Sequence, residues 1–231
     1  FFFFPPLVWL AAALVCLALC VRVNPVPICA FGQTGCRTPS LAELFERLIQ
    51  QSSRMNGIST DLHSEFERYF LPNKNFLGNR RCHTYGITTP DDKENAQRLG
   101  REQLTKVILR LLEAWSDPLS QLYWSMSLDQ NQNFNHDTSN KALEITDMVQ
   151  ELRGGVAKMA EKMKQEGVLS NAVIYVSPES LVPSSPSPFY RREKLKSMDH
   201  HDLLYCFRRD SNKVQNYLQV LRCTTLPELN C

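Results

Sequence analysis

Apolar residues recur along the chain at spacings of three, four and seven, the period of one face of an α-helix. Four long segments carry this pattern. In the first, about residues 40–71, Leu41, Leu44, Phe45, Leu48 and Ile49 form a stripe that Met55, Leu62, Phe66 and Phe70 continue. Ser40 followed by Glu43 has the spacing of a capping box, and Pro72 ends the segment. The second, about 90–126, opens at Thr89-Pro90-Asp91-Asp92, with Thr89 as cap, proline in the first turn and the acids at the positive end of the dipole. Its stripe is Leu104, Val107, Ile108, Leu111, Leu112 and Trp115; Pro118 is expected to kink or end it, with a further turn or two beyond. The third, 139–165, places Ile145, Val149, Leu152, Val156, Met159 and Met163 on one side. The fourth, about 191–222, aligns Phe207, Val214, Tyr217, Leu218 and Leu221.

No turn-punctuated alternation of the kind strands produce interrupts these segments, so the fold class is all-α. Connection lengths then select a topology. The polar run Asp129–Asn140 reads as a loop between antiparallel neighbours, whereas the joins at about 72–88 and 167–190 are long. Two long crossovers around a shorter middle connection predict an up-up-down-down four-helix bundle.

Composition sharpens the picture only in part. With 231 residues and a net charge of +2, the chain suits one domain and lacks the concentrated basic surface that nucleic acid requires. Phe1 to Val21 carries no charge, but Pro5 and Pro6 shorten its apolar core. It is expected to be a secretion signal over 1–23, N-terminally incomplete and cleaved near 23–26, rather than a retained anchor. The mature domain then covers 24–231, with no membrane insertion. Of eight cysteines, Cys16 and Cys20 leave with the signal, and six remain to pair.

Position suggests how. Cys223 and Cys231 staple the tail, and Cys29 with Cys36 closes a turn. That leaves Cys82 for Cys206, tying the first crossover to the last helix. No zinc-type cysteine or histidine spacing, serine-nucleophile elbow or phosphate loop occurs. Adjacent His200 and His201 diverge on a helix, so no metal site is expected there, only solvated or interhelical histidines. A carrier with a ligand cavity lined by Trp115, Met159 and Met163 is the remaining non-signalling alternative.

The stretches "VPICAFGQTGC", "SEFERYF", "CHTYGITTPDDKENAQ", "EAWSDPL" and "LLYCFRRDSNKVQNYLQVLRC" are similar to those of the growth hormone–prolactin family, over about residues 26–231. The N-terminal cysteine loop resembles the prolactin branch more than growth hormone, with somatolactin a closer rival. The resemblance implies a secreted, monomeric hormone without enzymatic activity or cofactor. It further implies bridging of two extracellular domains of a single-pass cytokine receptor, the prolactin receptor in that branch, and signalling through receptor-associated kinases.

Matching motifs carry the first receptor contact onto Arg208, Arg209, Lys213 and Tyr217, together with His83, Pro90 and Lys93 of the crossover. Arg209 and Lys213, four apart, are expected to form a basic strip beside an aromatic, residue types that often anchor interfaces. The second contact maps to Gly155 and Arg47. Gly155 lies off the apolar stripe and is expected to be exposed as a shallow groove; a weak helix or close helix packing is the alternative. Where mammalian members carry histidines, Ser53, Asn56 and Asn212 stand here, so the family's loss of receptor affinity at mildly acidic pH is not expected.

Overall fold

The computed structural model describes residues 39–70, 82–128, 132–170 and 200–228. Among them every regular element is helical: α1 (Leu41–Phe70), a 3₁₀ turn (His83–Gly86), α2 (Lys93–Arg98), α3 (Arg101–Leu128), α4 (Gln132–Gln165) and α5 (His200–Thr225). The predicted signal, the Cys29–Cys36 loop, most of the second crossover and Cys231 lie outside the described residues.

The capping box forms. Glu43 Oε2 accepts from the Ser40 N–H at 2.6 Å, and the Glu43 N–H donates to Ser40 Oγ at 3.2 Å. The second segment departs from expectation at its start. Asp92, not Thr89, is the cap, accepting the Asn95 N–H at 2.7 Å. The short α2 then breaks at Leu99, whose backbone is extended, and α3 begins from the Gly100 carbonyl. A cap side chain and an extended residue before glycine split what periodicity reads as one helix.

One other boundary shifts. The expected loop at 129–140 is helical from Gln132. Lys141 draws the segment in, bonding Asp137 one turn earlier at 2.9 Å and Glu65 of α1 at 2.6 Å. Extending an existing helix is inexpensive even for polar residues. α3 passes through Pro118 and ends at Leu128, close to the expected end near 126. At its far end α4 closes on Gly167 with φ +74°, where the Val168 N–H bonds Met163 O at 2.8 Å and the Gly167 N–H bonds Lys164 O.

Long-range side-chain bonds fix the helix directions. Between α1 and α4 the pairs are Gln51–Glu151, Arg54–Glu144 and Glu65–Lys141. Between α1 and α5 they are Glu46–Arg222, Ser59–Ser211 and Glu67–His201. Between α3 and α5 they are Arg101–Thr224, Trp115–Asp210 and Ser125–His200. In each series one number rises as the other falls, so α1 and α3 both run opposite to α5. As α4 also opposes α1, α1 and α3 point one way and α4 and α5 the other. This is the up-up-down-down order.

The predicted stripes meet inside. Phe45, Met55, Leu62, Ile108, Leu111, Trp115, Ile145 and Phe207 are among the fully buried side chains. Met159, Met163 and Trp115 are packed into this core, and none of them lines a described surface cleft. The side chains of Cys82 and Cys206 are joined, with Cα atoms 5.6 Å apart. Cys223 is also disulfide-bonded, its expected partner lying outside the described residues.

Candidate functional site

The first crossover is fastened along one face of α5 at four successive points. Cys82 is bonded to Cys206. One turn on, Thr84 Oγ1 donates to Asp210 Oδ2 at 2.6 Å. Lys213 Nζ then donates to Thr89 Oγ1 at 2.7 Å, and Tyr217 Oη donates to the Pro90 carbonyl at 2.7 Å. Positions 206, 210, 213 and 217 repeat at helical spacing, so the crossover runs parallel to the α5 axis.

Asp210 is the hub of this seam, and periodicity alone does not single it out. Its buried carboxylate also accepts Trp115 Nε1 at 3.0 Å and pairs with Arg209 Nη2 at 2.7 Å, while Arg209 reaches on to Thr84 Oγ1 at 2.9 Å. A buried carboxylate needs such donors to offset its lost hydration. The available signal was its place one turn after Cys206, on the stripe side of the helix.

Beyond the seam opens a cleft of about 860 Å³ lined by Pro90, Lys93, Arg208, Arg209, Lys213 and Tyr217, with Asn56 and Asn212. The structure thus gathers every residue expected at the first site except His83. That residue lies elsewhere, its ring edge-on to Trp115 with centroids 4.4 Å apart. Expectation also fails in part for the basic strip. Tyr217 is buried, as its place on the apolar stripe predicts, but Arg209 and Lys213 are half-buried and engaged with the crossover. Burial and the neighbouring Arg209 charge hold Lys213 below its ordinary range, against the pull of Asp210 and Asp91. Burial pushes the Tyr217 phenol up to about 12, with Asp210 and Asp91 adding to the rise while Thr89 and Arg209 oppose it. Lys93 is exposed, and the Arg208 guanidinium lies 5.7 Å from the centre of the Tyr205 ring.

At the expected second site Arg47 is exposed, as a solvent-facing residue of α1 should be. Gly155 is not. It is half-buried, and a β-carbon there would stand 2.5 Å from Leu48 Cδ2, so close packing of α4 on α1 accounts for it. Its neighbour Gly154 is the exposed one, with open space around it.

The expected interhelical placement holds for His201. His201, adjacent to His200 in sequence, meets His63 and Glu67 of α1, and the three potential ligand atoms lie within 4.8 Å of one another. Among the described residues no helix is long and apolar enough to cross a membrane.

A family model described as the somatotropin hormone family matches residues 13–231. Its members are signalling hormones that act on class I cytokine receptors and are not enzymes. With its four-helix order and its disulfide-tied crossover, the chain belongs to the somatotropin hormone family.

Proposed function

We propose that this chain is a secreted hormone of the prolactin branch that brings together two prolactin receptor extracellular domains and so activates the kinases attached to them. On this reading residues 1–23 direct secretion and are removed, and the domain 24–231 acts as a monomer. The observation that carries it is the seam: pinned to α5 from Cys82 to Pro90, the crossover stands beside Arg208 and Lys93 at the rim of one cleft. A rigid surface of this kind lowers the ordering cost of binding. The second receptor would meet α1 and α4 around Arg47 and Gly155. There the glycine holds the helices close, and any larger side chain would push on Leu48.

Reporter cells carrying matched prolactin, growth hormone or somatolactin receptors test the assignment. A response confined to the prolactin receptor is expected, and a response through either other receptor would move the hormone to that branch. Gly155→Arg should retain a one-to-one complex with the receptor ectodomain and fail to recruit a second copy. Full recruitment by that variant would refute the second-site placement.

A further inference from the structure

We propose that His63, Glu67 and His201 form a binding site for a divalent transition ion of the zinc class, clipping α1 to the first turn of α5. The site lies two turns along α1 from Asn56, roughly 10 Å away, and is separate from the cleft residues Asn56 and Asn212.

His63 and Glu67 are one helical turn apart, with His63 Nδ1 3.5 Å from Glu67 Oε2. His201 Nε2 approaches Glu67 Oε1 at 3.2 Å. The two imidazoles stack with centroids 5.4 Å apart and planes at 29°. Their side chains are 1% and 4% exposed, against 46% for Glu67. Two imidazoles therefore sit in a dry wall, with a carboxylate at the rim able to admit an ion and leave one position to water. Phe66 and Tyr205 flank the rings at 6.2 and 5.9 Å.

The donor set selects the ion class. Imidazole suits zinc, copper and nickel, whereas calcium and magnesium prefer sites made of oxygen. Behind His201, Asp202 Oδ1 lies 3.8 Å from Nδ1, the ring nitrogen facing away from Glu67. A carboxylate on that far nitrogen is the usual outer-shell partner of a metal-bound histidine. Ligands held about 2.0–2.1 Å from one tetrahedral zinc stand roughly 3.3 Å apart. The cluster must contract from its widest separation of 4.8 Å, and the half-exposed Glu67 side chain is free to swing inward. Arg208 contributes an opposing positive charge near Glu67. Ion binding would stabilise the fold by mass action, since the unfolded chain does not hold the three groups together.

The test is calorimetric titration of the purified full-length hormone with zinc chloride, using magnesium chloride as the comparison. Cobalt(II) absorption then reports coordination geometry. One zinc per chain at this site, a higher unfolding temperature with zinc and a tetrahedral cobalt spectrum are expected. Glu67→Gln and His201→Gln should each weaken zinc binding by about tenfold or more while far-ultraviolet circular dichroism stays unchanged. Absence of zinc binding by the unaltered protein overturns the proposal, as does unchanged affinity in either variant. Should His201→Gln not fold, Glu67→Gln decides alone, because its side chain is half in solvent.

Discussion

His83 Nε2 lies 3.1 Å from the carbonyl oxygen of Ala114. That oxygen is the acceptor to which residue 118 would donate in an uninterrupted helix, and Pro118 has no N–H to give. A carbonyl only accepts, so the ring nitrogen is the donor and its tautomer is set. A residue of the crossover thereby repairs α3 and allows it to pass through proline to Leu128. The contact also explains why His83 lies outside the cleft where its motif position suggested it would be.

Replacing His83 with Phe keeps a ring against Trp115 but removes the donor, and should cost about 1–2 kcal/mol. Pro118→Ala supplies the missing N–H, so the same change made in that background should cost less. A double-mutant cycle by urea unfolding measures the coupling, and strictly additive costs would contradict the repair.

Arg208 and Arg209 are neighbours with different duties. Arg209→Ala removes the ion pair to Asp210 and the bond to Thr84, so it should lower both stability and receptor affinity. Arg208→Ala should lower affinity while leaving stability within about 0.5 kcal/mol. Asp210→Ala strips the acceptor from Thr84 and Trp115 and should cost on the order of 2–3 kcal/mol. Equal unfolding midpoints for the two arginine variants would show that the seam does not depend on Arg209.

Tyr217 makes stability sensitive to alkali. Its folded phenol, pushed up to about 12, stands above the ordinary value of 10.0. Below pH of about 10 both states keep the proton and the buried hydroxyl contributes fully. Between about 10 and 12 the unfolded chain loses its proton while the fold retains it, so stability falls as pH rises. Tyr217→Phe should flatten that decline in denaturation curves collected across the window. An unchanged slope would remove Tyr217 as its source.

The paired glycines of α4 offer an internal comparison. Gly154→Ala meets open space and should raise stability by about 0.5–1 kcal/mol through helix propensity. Gly155→Ala brings the same propensity but must displace a methyl of the buried Leu48, so it should be less stable than Gly154→Ala. Thermal unfolding followed by circular dichroism ranks them. The reverse order would mean that α1 and α4 have slack at their contact.

How far the chain could be read depended on the range of the interactions involved. The stripes headed by Phe45, Ile108, Val149 and Phe207 are buried as their spacing predicted, and Ser40 and Glu43 cap α1 as paired. These are interactions within a turn or two, written directly into residue order. The pairing of Cys82 with Cys206 was also legible, because the lengths of helix and connection left few partners within reach. The split between α2 and α3 and the early start of α4 were not. The Asp92 cap and the extended Leu99 divide the second segment, and the polar run before Lys141 opposes helix locally until Glu65, distant in sequence, overrides it.

Residue order by itself determined that four amphipathic rods would bury their stripes, and the long crossovers pointed to their directions. Tertiary structure decided which faces were left for function. It committed Arg209 and Lys213 to the crossover, placed Gly155 against Leu48 and brought His201 to His63 and Glu67. Each outcome depends on a contact between segments distant in sequence, such as Thr84 with Asp210 across a separation of 126. Periodicity assigns a side chain to a face of its own helix; only packing determines what that face meets.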